Sequence, residues 1–341
     1  MPTVLDSLNA GLHRAFAEDE RVLLLGEDIL DPYGGAFKVP RGLATQYPAR
    51  VFTSPVSEAG LAGMAGGLAL RGLKPVVEIM FGDFLMLTAD QLLNSITKFG
   101  WMYGGQVDVP LVIRTPMGGR RGYGPTHSQT IEKHFLGVPG LTVLAPAALG
   151  NPGALLADAI LNDPGPVLFV ENKLLYLEPA RAASDLPEFE LTPHTFPGDY
   201  APAYSLRISG APPPTVTIAA YGYAAELARK AALLLAYEHE IFVEVLVPTR
   251  ISFPGNAYFD NLLLPAVQRT GRLLAVEEGT AALGWGAEVL ARVAETLGSN
   301  LRAAGRVAAE DTPIPASTPM EDAALPQAGD IVREVIRIAS R

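Results

Sequence analysis

The strongest constraint on the fold is a series of short runs made almost entirely of apolar, β-forming residues. The first half of the chain has five, and none alternates regularly with polar residues: Val22–Leu25, Pro75–Met80, Pro110–Thr115, Leu141–Ala145 and Pro166–Glu171. A strand without a polar face is buried on both sides, which is typical of a parallel sheet covered by helices. Helix-like segments separate the runs, at Leu5–Glu18, Glu58–Leu70, Ala89–Trp101 and Asn151–Leu161. This alternation predicts a doubly wound α/β domain.

The alternation stops between residues 181 and 214 and then resumes. This stretch is rich in proline and polar residues, so we expect a linker between two domains, with one short strand near Tyr204–Ile208. Strand-like and helix-like segments follow it in turn: Thr215–Gly222, Ala224–Tyr237, Ile241–Val247, Leu273–Gly279 and Ala281–Leu297. The prediction is a first domain over residues 1–180 and a smaller α/β domain over 215–341, which suits a length of 341 residues.

The composition argues against several classes of function. A net charge of −10 argues against a nucleic-acid partner, because phosphate recognition needs a basic face. No apolar run approaches the roughly 20 residues that span a bilayer, and the first residues do not resemble a signal peptide. The absence of cysteine excludes disulfides and favours a cytoplasmic location. With 49% apolar and 18% charged residues, we expect extensive buried surface, part of it against another chain.

One carboxylate stands at the start of an otherwise small and apolar helix. Glu58 is followed by A-G-L-A-G-M-A-G-G. An acid at a helix start is favoured by the helix dipole in any protein. The small residues also permit close approach of a backbone or a ligand, and a desolvated carboxylate there could donate a proton to a ring nitrogen. On this segment alone both interpretations stay open.

Two further residues are candidates because of where they fall in the pattern. Phe84 follows the run Pro75–Met80, at the carboxyl end of a strand, where α/β proteins bind ligands. It is either a core residue or a ring that stacks on a flat heterocycle. His127 follows G-G-R-R-G-Y-G (118–124), which is not a dinucleotide fingerprint and is typical of a mobile surface loop. The histidine is either structural or an acid/base group.

Taken in order, the motifs resemble those of a known family. The segments are T-S-P-V-S-E-A-G (53–60), G-L-K-P-V-V-E-I-M-F-G-D-F (72–84), D-Q-L-L-N-S (90–95), G-G-Q-V-D-V-P-L-V-I-R-T-P-M-G-G (104–119), T-H-S-Q (126–129) and V-E-E-G-T-A-A-L-G-W-G-A-E-V (276–289). They resemble the β subunit of the thiamine-diphosphate-dependent E1 component of 2-oxo acid dehydrogenases. The resemblance implies a transketolase-like pyrimidine-binding domain followed by a transketolase C-terminal domain. It also implies decarboxylation of a 2-oxo acid and transfer of the acyl group to a lipoyl or carrier-protein acceptor.

The resemblance implies roles for individual residues. Glu58 matches the acid that hydrogen-bonds the aminopyrimidine ring nitrogen of thiamine diphosphate, and Phe84 matches the aromatic that packs on that ring. Leu87 is assigned to the same cofactor pocket, and Glu27 lies in the segment near the substrate channel. His127 matches the histidine that handles protons during acyl transfer.

Metals and partners are also implied by the resemblance. A G-D-G…N motif, which in this family binds Mg²⁺ from a separate α subunit, has no counterpart here. The chain is therefore expected to hold half a site within an α2β2 heterotetramer with α–β and β–β contacts. A potassium ion is implied at four positions, although the turn N-D-P-G-P (162–166) explains that stretch without an ion: Val112, Ile160, Leu161 and Asp163.

Two alternative functions stay open at this point. A split transketolase would transfer a two-carbon unit from a ketose, and a non-catalytic scaffold would keep the fold without the chemistry. The pair Arg120–Arg121 within the glycine-rich loop departs from the family pattern. The identity of the substrate and of the acyl acceptor is therefore left open.

Overall fold

The computed structural model describes residues 1–253 and 255–341. By its internal contacts the chain divides into two compact units. The first unit contains residues 1–117, 134–146 and 151–180, and the second contains 118–133, 147–150 and 181–341. The loop that carries His127 therefore groups with the second unit, although it lies within the predicted range of the first domain.

The first unit is built on a six-stranded sheet in the order β2-β1-β3-β4-β6-β5. Its strands pair in parallel throughout, as the apolar runs predict. The strands are β1 Val22–Gly26, β2 Val51–Thr53, β3 Lys74–Glu78, β4 Leu111–Met117, β5 Thr142–Leu144 and β6 Pro166–Asn172. The edge strand β2 was not predicted, since it is three residues long and two of them are exposed.

Five α-helices belong to this unit: α1 Val4–Glu18, α2 Leu43–Gln46, α3 Glu58–Leu70, α4 Thr97–Met102 and α5 Pro152–Asn162. Helices α1 and α5 cross so closely that a Cβ on Gly11 would lie 2.1 Å from the carbonyl oxygen of Gly153. The predicted helix Ala89–Trp101 is present, but its middle part, Gln91–Ile96, is a π-helix that continues into α4. There the hydroxyl of Thr97 donates to the carbonyl of Leu92 at 2.9 Å, which competes with the regular ladder.

The second unit contains a mixed six-stranded sheet in the order β12-β11-β9-β10-β8-β7. Strands β12, β11, β9 and β10 are parallel, and β8 and β7 are added by antiparallel pairing. The strands are β7 Phe189–Phe196, β8 Asp199–Ile208, β9 Val216–Ala220, β10 Val243–Pro248, β11 Arg272–Thr280 and β12 Ala303–Ala309. The helices are α6 Gly222–His239, α7 Leu264–Thr270, α8 Trp285–Leu297, α9 Thr318–Ala324 and α10 Ala328–Ala339. Helices α6 and α10 pack on the sheet to form the core.

The short helical turns are of two kinds. The 3₁₀ helices are Gly82–Thr88, Glu132–His134, Leu175–Leu177, Ala183–Asp185 and Gly298–Asn300, and a second π-helix spans Phe259–Leu263. No helix in residues 1–253 and 255–341 is both long and apolar enough to cross a membrane.

The segment 181–214, expected to be a linker with one short strand, contains the hairpin β7–β8. Strand β7 is at the edge of the sheet and most of its residues are exposed or half-buried. Pro193 lies within it, and an edge strand tolerates a proline because its outer N–H groups need no partner in the sheet. An exposed strand that contains proline resembles a linker in composition, which is why the hairpin was missed.

Candidate active site

Two carboxylates meet at the carboxyl edge of the first sheet. Strand β1 lies between β2 and β3, and the parallel pairing makes the three strands end at the same edge. Glu27 follows β1, and Glu58 opens α3 after β2. The Oε1 atom of Glu27 accepts a hydrogen bond from the backbone N–H of Ser57 at 2.9 Å. The two acids, predicted from separate motifs, thus lie beside each other, and both are buried.

The environment of this pair favours a retained proton. Burial raises the pKa of the Glu27 carboxyl, the Ser57 N–H opposes that rise, and the negative charge of Glu58 raises the pKa further. The Glu27 carboxyl can therefore retain a proton and present it to a basic atom of a ligand.

An aromatic side chain lies on a helix that packs against α3, the helix that begins with Glu58. Phe84 is on the 3₁₀ helix Gly82–Thr88, which follows β3 and packs against α3. The Phe84 ring is half-buried and meets Phe81 edge to face at 6.2 Å. Leu87, one turn further on, is 56% exposed. A half-buried ring on a helix that packs against α3 can offer an apolar face to a flat heterocycle, and an aminopyrimidine is such a ring.

A buried ionic cluster on three neighbouring strands, β3, β4 and β6, was missed by the sequence analysis. Arg114 on β4 donates through Nε and Nη2 to the carboxylate of Glu171 at 2.7 and 2.5 Å, and through Nη1 to Glu78. Tyr176 also donates to Glu171. All four side chains are buried. The available signal was the presence of charged residues within runs that are otherwise apolar.

Aromatic rings connect this cluster with Phe84. Tyr176 and Phe37 have their ring centres 5.5 Å apart, and Phe37 meets Phe81 at 5.5 Å. Phe81 in turn contacts Phe84 at 6.2 Å. The ionic cluster therefore supports the three aromatic side chains Phe37, Phe81 and Phe84.

The four positions assigned to potassium lie on β4 and at the end of α5: Val112, Ile160, Leu161 and Asp163. Carbonyl groups at a helix C-terminus lack partners in the helix and favour a cation. Here the carbonyl of Leu161 accepts a hydrogen bond from Lys74 Nζ. The Asp163 carboxylate accepts from the Gly165 N–H at 2.9 Å. The Lys74 ammonium group thus accounts for the position of Leu161, and a hydrogen-bonded turn accounts for that of Asp163. Neither position requires an ion.

Neither 1–253 nor 255–341 contains a cluster of three or more histidine, aspartate or glutamate side chains suited to a metal ion.

The loop 118–133, in the second unit, carries His127. The backbone N–H of His127 donates to Gly124 O at 3.3 Å, and its Nδ1 lies 3.0 Å from the Thr126 hydroxyl. These contacts close a turn and orient the half-buried ring.

The glycine-rich part of this loop is tied to two distant carboxylates. Glu278 accepts from Gly119 N at 2.8 Å and from Arg120 Nη1 at 2.9 Å. Glu321 accepts from the N–H groups of Arg120 and Gly122 at 2.7 and 3.1 Å. The segment expected to be a mobile surface loop is held by the chain itself, and these N–H groups are not available to a phosphate.

A buried acid lies at the other end of the same loop. Glu132 accepts a hydrogen bond from the Tyr221 hydroxyl, and its Oε2 is buried without a hydrogen-bond partner among the described residues. Burial raises the pKa of Glu132 to about 7, the Tyr221 hydrogen bond opposes this, and the charges of Glu277 and Glu278 add to the rise. Sequence reasoning did not single out this residue, which follows T-H-S-Q closely in the chain.

The raised pKa of Glu132 predicts a pH dependence of stability. The folded chain binds the proton more tightly than the unfolded chain, whose carboxyl keeps its ordinary pKa of 4.5. Its stabilising contribution is present below about pH 4.5 and is lost as the pH rises through about 7. We expect the unfolding free energy to fall from this group by up to about 3 kcal/mol between pH 4.5 and 8.

The measurement is urea unfolding at pH 5 and pH 8 for the wild type and Glu132→Gln. The variant does not titrate at this position and should lose less stability over that interval. Glu288→Gln, at an exposed ion pair with Arg292, serves as the matched control and should follow the wild type. Equal pH slopes for wild type and Glu132→Gln would contradict the assignment.

Comparison with known proteins identifies the family. Residues 1–178 match the domain family described as "Transketolase, pyrimidine binding domain", and residues 210–331 match "Transketolase, C-terminal domain". The mitochondrial pyruvate dehydrogenase E1 component subunit beta-1 of Arabidopsis thaliana is 37% identical over 341 residues, covering 99% of this chain and 90% of the relative. The chain belongs to the E1 β family of 2-oxo acid dehydrogenases. The E1 subunit beta of Rickettsia bellii is 32% identical over 338 residues, with 98% of each chain covered.

A solved structure shows the same fold. "Split gene transketolase, inactive beta4 tetramer" matches with a TM-score of 0.73 at 22% identity, covering 100% of this chain and 99% of the other. This identity is low enough that the likeness concerns the fold alone. The E1 β relatives, more similar and almost fully covered, confirm the predicted family and function class and do not favour a split transketolase or a scaffold. Membership in the E1 β family implies thiamine diphosphate as cofactor and an α-subunit partner in a heterotetramer.

Proposed function

We propose that Glu58 and Phe84 hold the aminopyrimidine of thiamine diphosphate and that the assembled enzyme decarboxylates a 2-oxo acid. The observation that carries this proposal is the buried pair of Glu27 and Glu58 at the carboxyl edge of the parallel sheet, with Phe84 on the 3₁₀ helix that packs against α3. Pyruvate is the first substrate to test, because the relatives from Arabidopsis and Rickettsia are named pyruvate dehydrogenase subunits.

Individual residues of the chain would have separate roles in the decarboxylation. The bound cofactor supplies the nucleophilic carbon and the electron sink for loss of carbon dioxide. Glu58 would hold a proton at a ring nitrogen, Phe84 would provide an apolar face for the ring, and Leu87 would extend that face. Glu27, held against Ser57, would keep a second exchangeable proton beside Glu58 on the substrate side.

His127 would act in the later acyl transfer. Its ring is oriented through Nδ1 by the Thr126 hydroxyl, and an imidazole ring can both donate and accept a proton. We propose that it moves a proton as the acyl group passes to a lipoyl acceptor on an E2 component, with a carrier protein as the alternative acceptor.

Exposed apolar side chains around the carboxylates support a partner surface. Val56, which precedes Glu58 in the chain, is 80% exposed, and Met64 on α3 and Met86 on the 3₁₀ helix are also exposed. Exposed large apolar residues grouped in this way are typical of a protein interface. We propose that an α subunit covers this surface and supplies the Mg²⁺ ligands, and that β subunits also contact each other in the heterotetramer.

The potassium site and the cytoplasmic location remain predictions. The contact of Lys74 with Leu161 speaks for an ion-free arrangement, and potassium titration of the assembled enzyme would test it. The Arabidopsis relative is named a mitochondrial protein, so the compartment needs localisation of the chain in its own cell.

The half-site model predicts that the chain alone binds thiamine diphosphate and Mg²⁺ weakly, because no described residues form a metal cluster. Calorimetric titration of the chain alone and of its complex with an α-type partner checks this, and the complex is expected to bind far more tightly. Tight Mg²⁺-dependent binding by the single chain would contradict the model.

A panel of pyruvate, branched-chain 2-oxo acids and ketoses then tests the reaction. Turnover of ketoses alone would support a split transketolase, and no turnover would support a scaffold.

A further inference from the structure

The loop that bears His127 is fixed by groups far away in the sequence. Glu321 is separated from Arg120 and Gly122 by 201 and 199 residues, and Glu278 is 158 residues from Arg120. We infer that Arg120, Glu278 and Glu321 are positioning residues that set the place of His127 for acyl transfer. The inference rests on the role proposed above for His127.

Arg120 adopts a backbone conformation that needs support. Its φ of +63° lies in the left-handed region, which is unfavourable for a residue that has a side chain. The guanidinium is held by Glu278 at 2.9 Å and donates to the carbonyl of Pro326. It also lies 5.3 Å from the centre of the Tyr223 ring. These contacts stabilise the left-handed backbone conformation at Arg120. The arginine, which departs from the family pattern, thus holds this part of the loop in place.

The backbone beside Arg120 is packed directly on the segment that supplies Glu321. A Cβ on Gly119 would lie 2.5 Å from Leu325 Cδ1 and 3.1 Å from the Glu321 carboxylate. Glu321 is itself buried, and its carboxylate accepts hydrogen bonds from the N–H groups of Arg120 and Gly122 in the loop. The contact is therefore too close for a water layer, and displacement of Glu321 would shift the loop.

The far end of the loop returns to the same strand. Lys133 Nζ donates to the Thr280 hydroxyl at 2.5 Å and to Ala282 O at 2.8 Å. Thr280 and Glu278 both belong to β11, so one strand holds the loop on either side of His127. A loop fastened at two points on one rigid element can hold its catalytic side chain to within the fraction of an ångström that catalysis requires.

The test uses the complex with the α-type partner and separates two partial reactions. Decarboxylation is read with an artificial electron acceptor, and acyl transfer with a lipoyl domain. The variants are Glu321→Gln, which places an amide N–H against a loop N–H, and Arg120→Lys, which keeps the charge but loses the planar fork. His127→Ala is the benchmark and Glu288→Gln, an exposed acid, is the matched control.

A third readout does not depend on activity. Hydrogen exchange of the amides of Gly119, Arg120 and Gly122 reports whether their hydrogen bonds to the two carboxylates are intact. For Glu321→Gln we expect faster exchange at these amides and acyl transfer reduced about 10- to 100-fold, with decarboxylation within about twofold of wild type. Arg120→Lys should change the same two readouts in the same direction and covers the case in which Glu321→Gln does not fold.

Three results would overturn the inference. Unchanged acyl transfer despite faster loop exchange would show that the loop position does not matter, and unchanged exchange would show that the contacts do not hold the loop. Equal losses in both partial reactions would show that the contacts of Arg120, Glu278 and Glu321 serve the whole enzyme and not acyl transfer in particular. A wild-type complex that decarboxylates no 2-oxo acid would refute the proposed function itself. The first three outcomes in an active complex refute only the positioning role of these three residues.

Discussion

Glu58→Gln in the assembled enzyme is expected to lower decarboxylation by about 10²–10⁴-fold, the range found for loss of a positioned proton donor. The amide keeps the shape of the side chain, but it carries no proton that can be exchanged with a ring nitrogen. Because Glu58 is buried at the start of α3, beside Glu27, water cannot easily replace it. The measurement is carbon dioxide release from pyruvate at saturating cofactor.

The control for this variant is Glu18→Gln, which removes the charge of an exposed acid at the end of α1. It should leave turnover unchanged. Thermal unfolding of both variants checks that the chain remains folded and associated. Turnover of Glu58→Gln near the wild-type level would remove the role assigned to this carboxylate and with it the central step of the proposal.

Arg114→Met is expected to have the largest effect on stability, a loss of about 3–5 kcal/mol. The variant leaves the carboxylates of Glu78 and Glu171 buried next to each other without their shared cation. Burial already raises the pKa of Glu78 even with Arg114 present, so the remaining pair would have to bind a proton or admit water. Urea unfolding of the purified chain at pH 7.5 measures the loss.

Arg333→Met gives the comparison for an exposed ion pair, since the Arg333 side chain is 76% exposed beside Asp330. Such pairs contribute about 0–1 kcal/mol, and the variant should unfold close to the wild type. The Arg114→Met chain should also regain stability at lower pH as the two carboxylates take up protons. A loss below about 1 kcal/mol would mean that the cluster is solvated in solution.

The sequence was most informative where both faces of an element are buried. The five apolar runs of the first half all became strands of the parallel sheet, because a strand covered on both sides is made mostly of apolar residues. Helix α3 and its first residue Glu58 were also predicted to the residue, since the small apolar segment begins sharply after S-P-V-S. Each of these features depends on neighbours in the chain.

Features that depend on solvent exposure were predicted less well. The hairpin β7–β8 was taken for a linker because its edge strand is polar and contains proline. The glycine-rich loop was expected to be mobile because glycine and arginine are common on surfaces. In the structure its N–H groups donate to buried carboxylates instead.

Local sequence determined which segments are strands and helices, the parallel class of the first sheet and the place of Glu58 at a helix start. The family motifs then assigned the cofactor and the residues around it. Only the tertiary structure decided that Glu27 lies against Glu58, that Arg114 joins acids 36 and 57 residues away, and that Glu278 and Glu321 hold the loop of His127. The physical reason is the sequence distance over which each effect acts. Periodicity and capping involve residues a few positions apart. The hydrogen-bond and ion-pair partners of buried charges lie on strands that are distant in the sequence and are brought together only by packing.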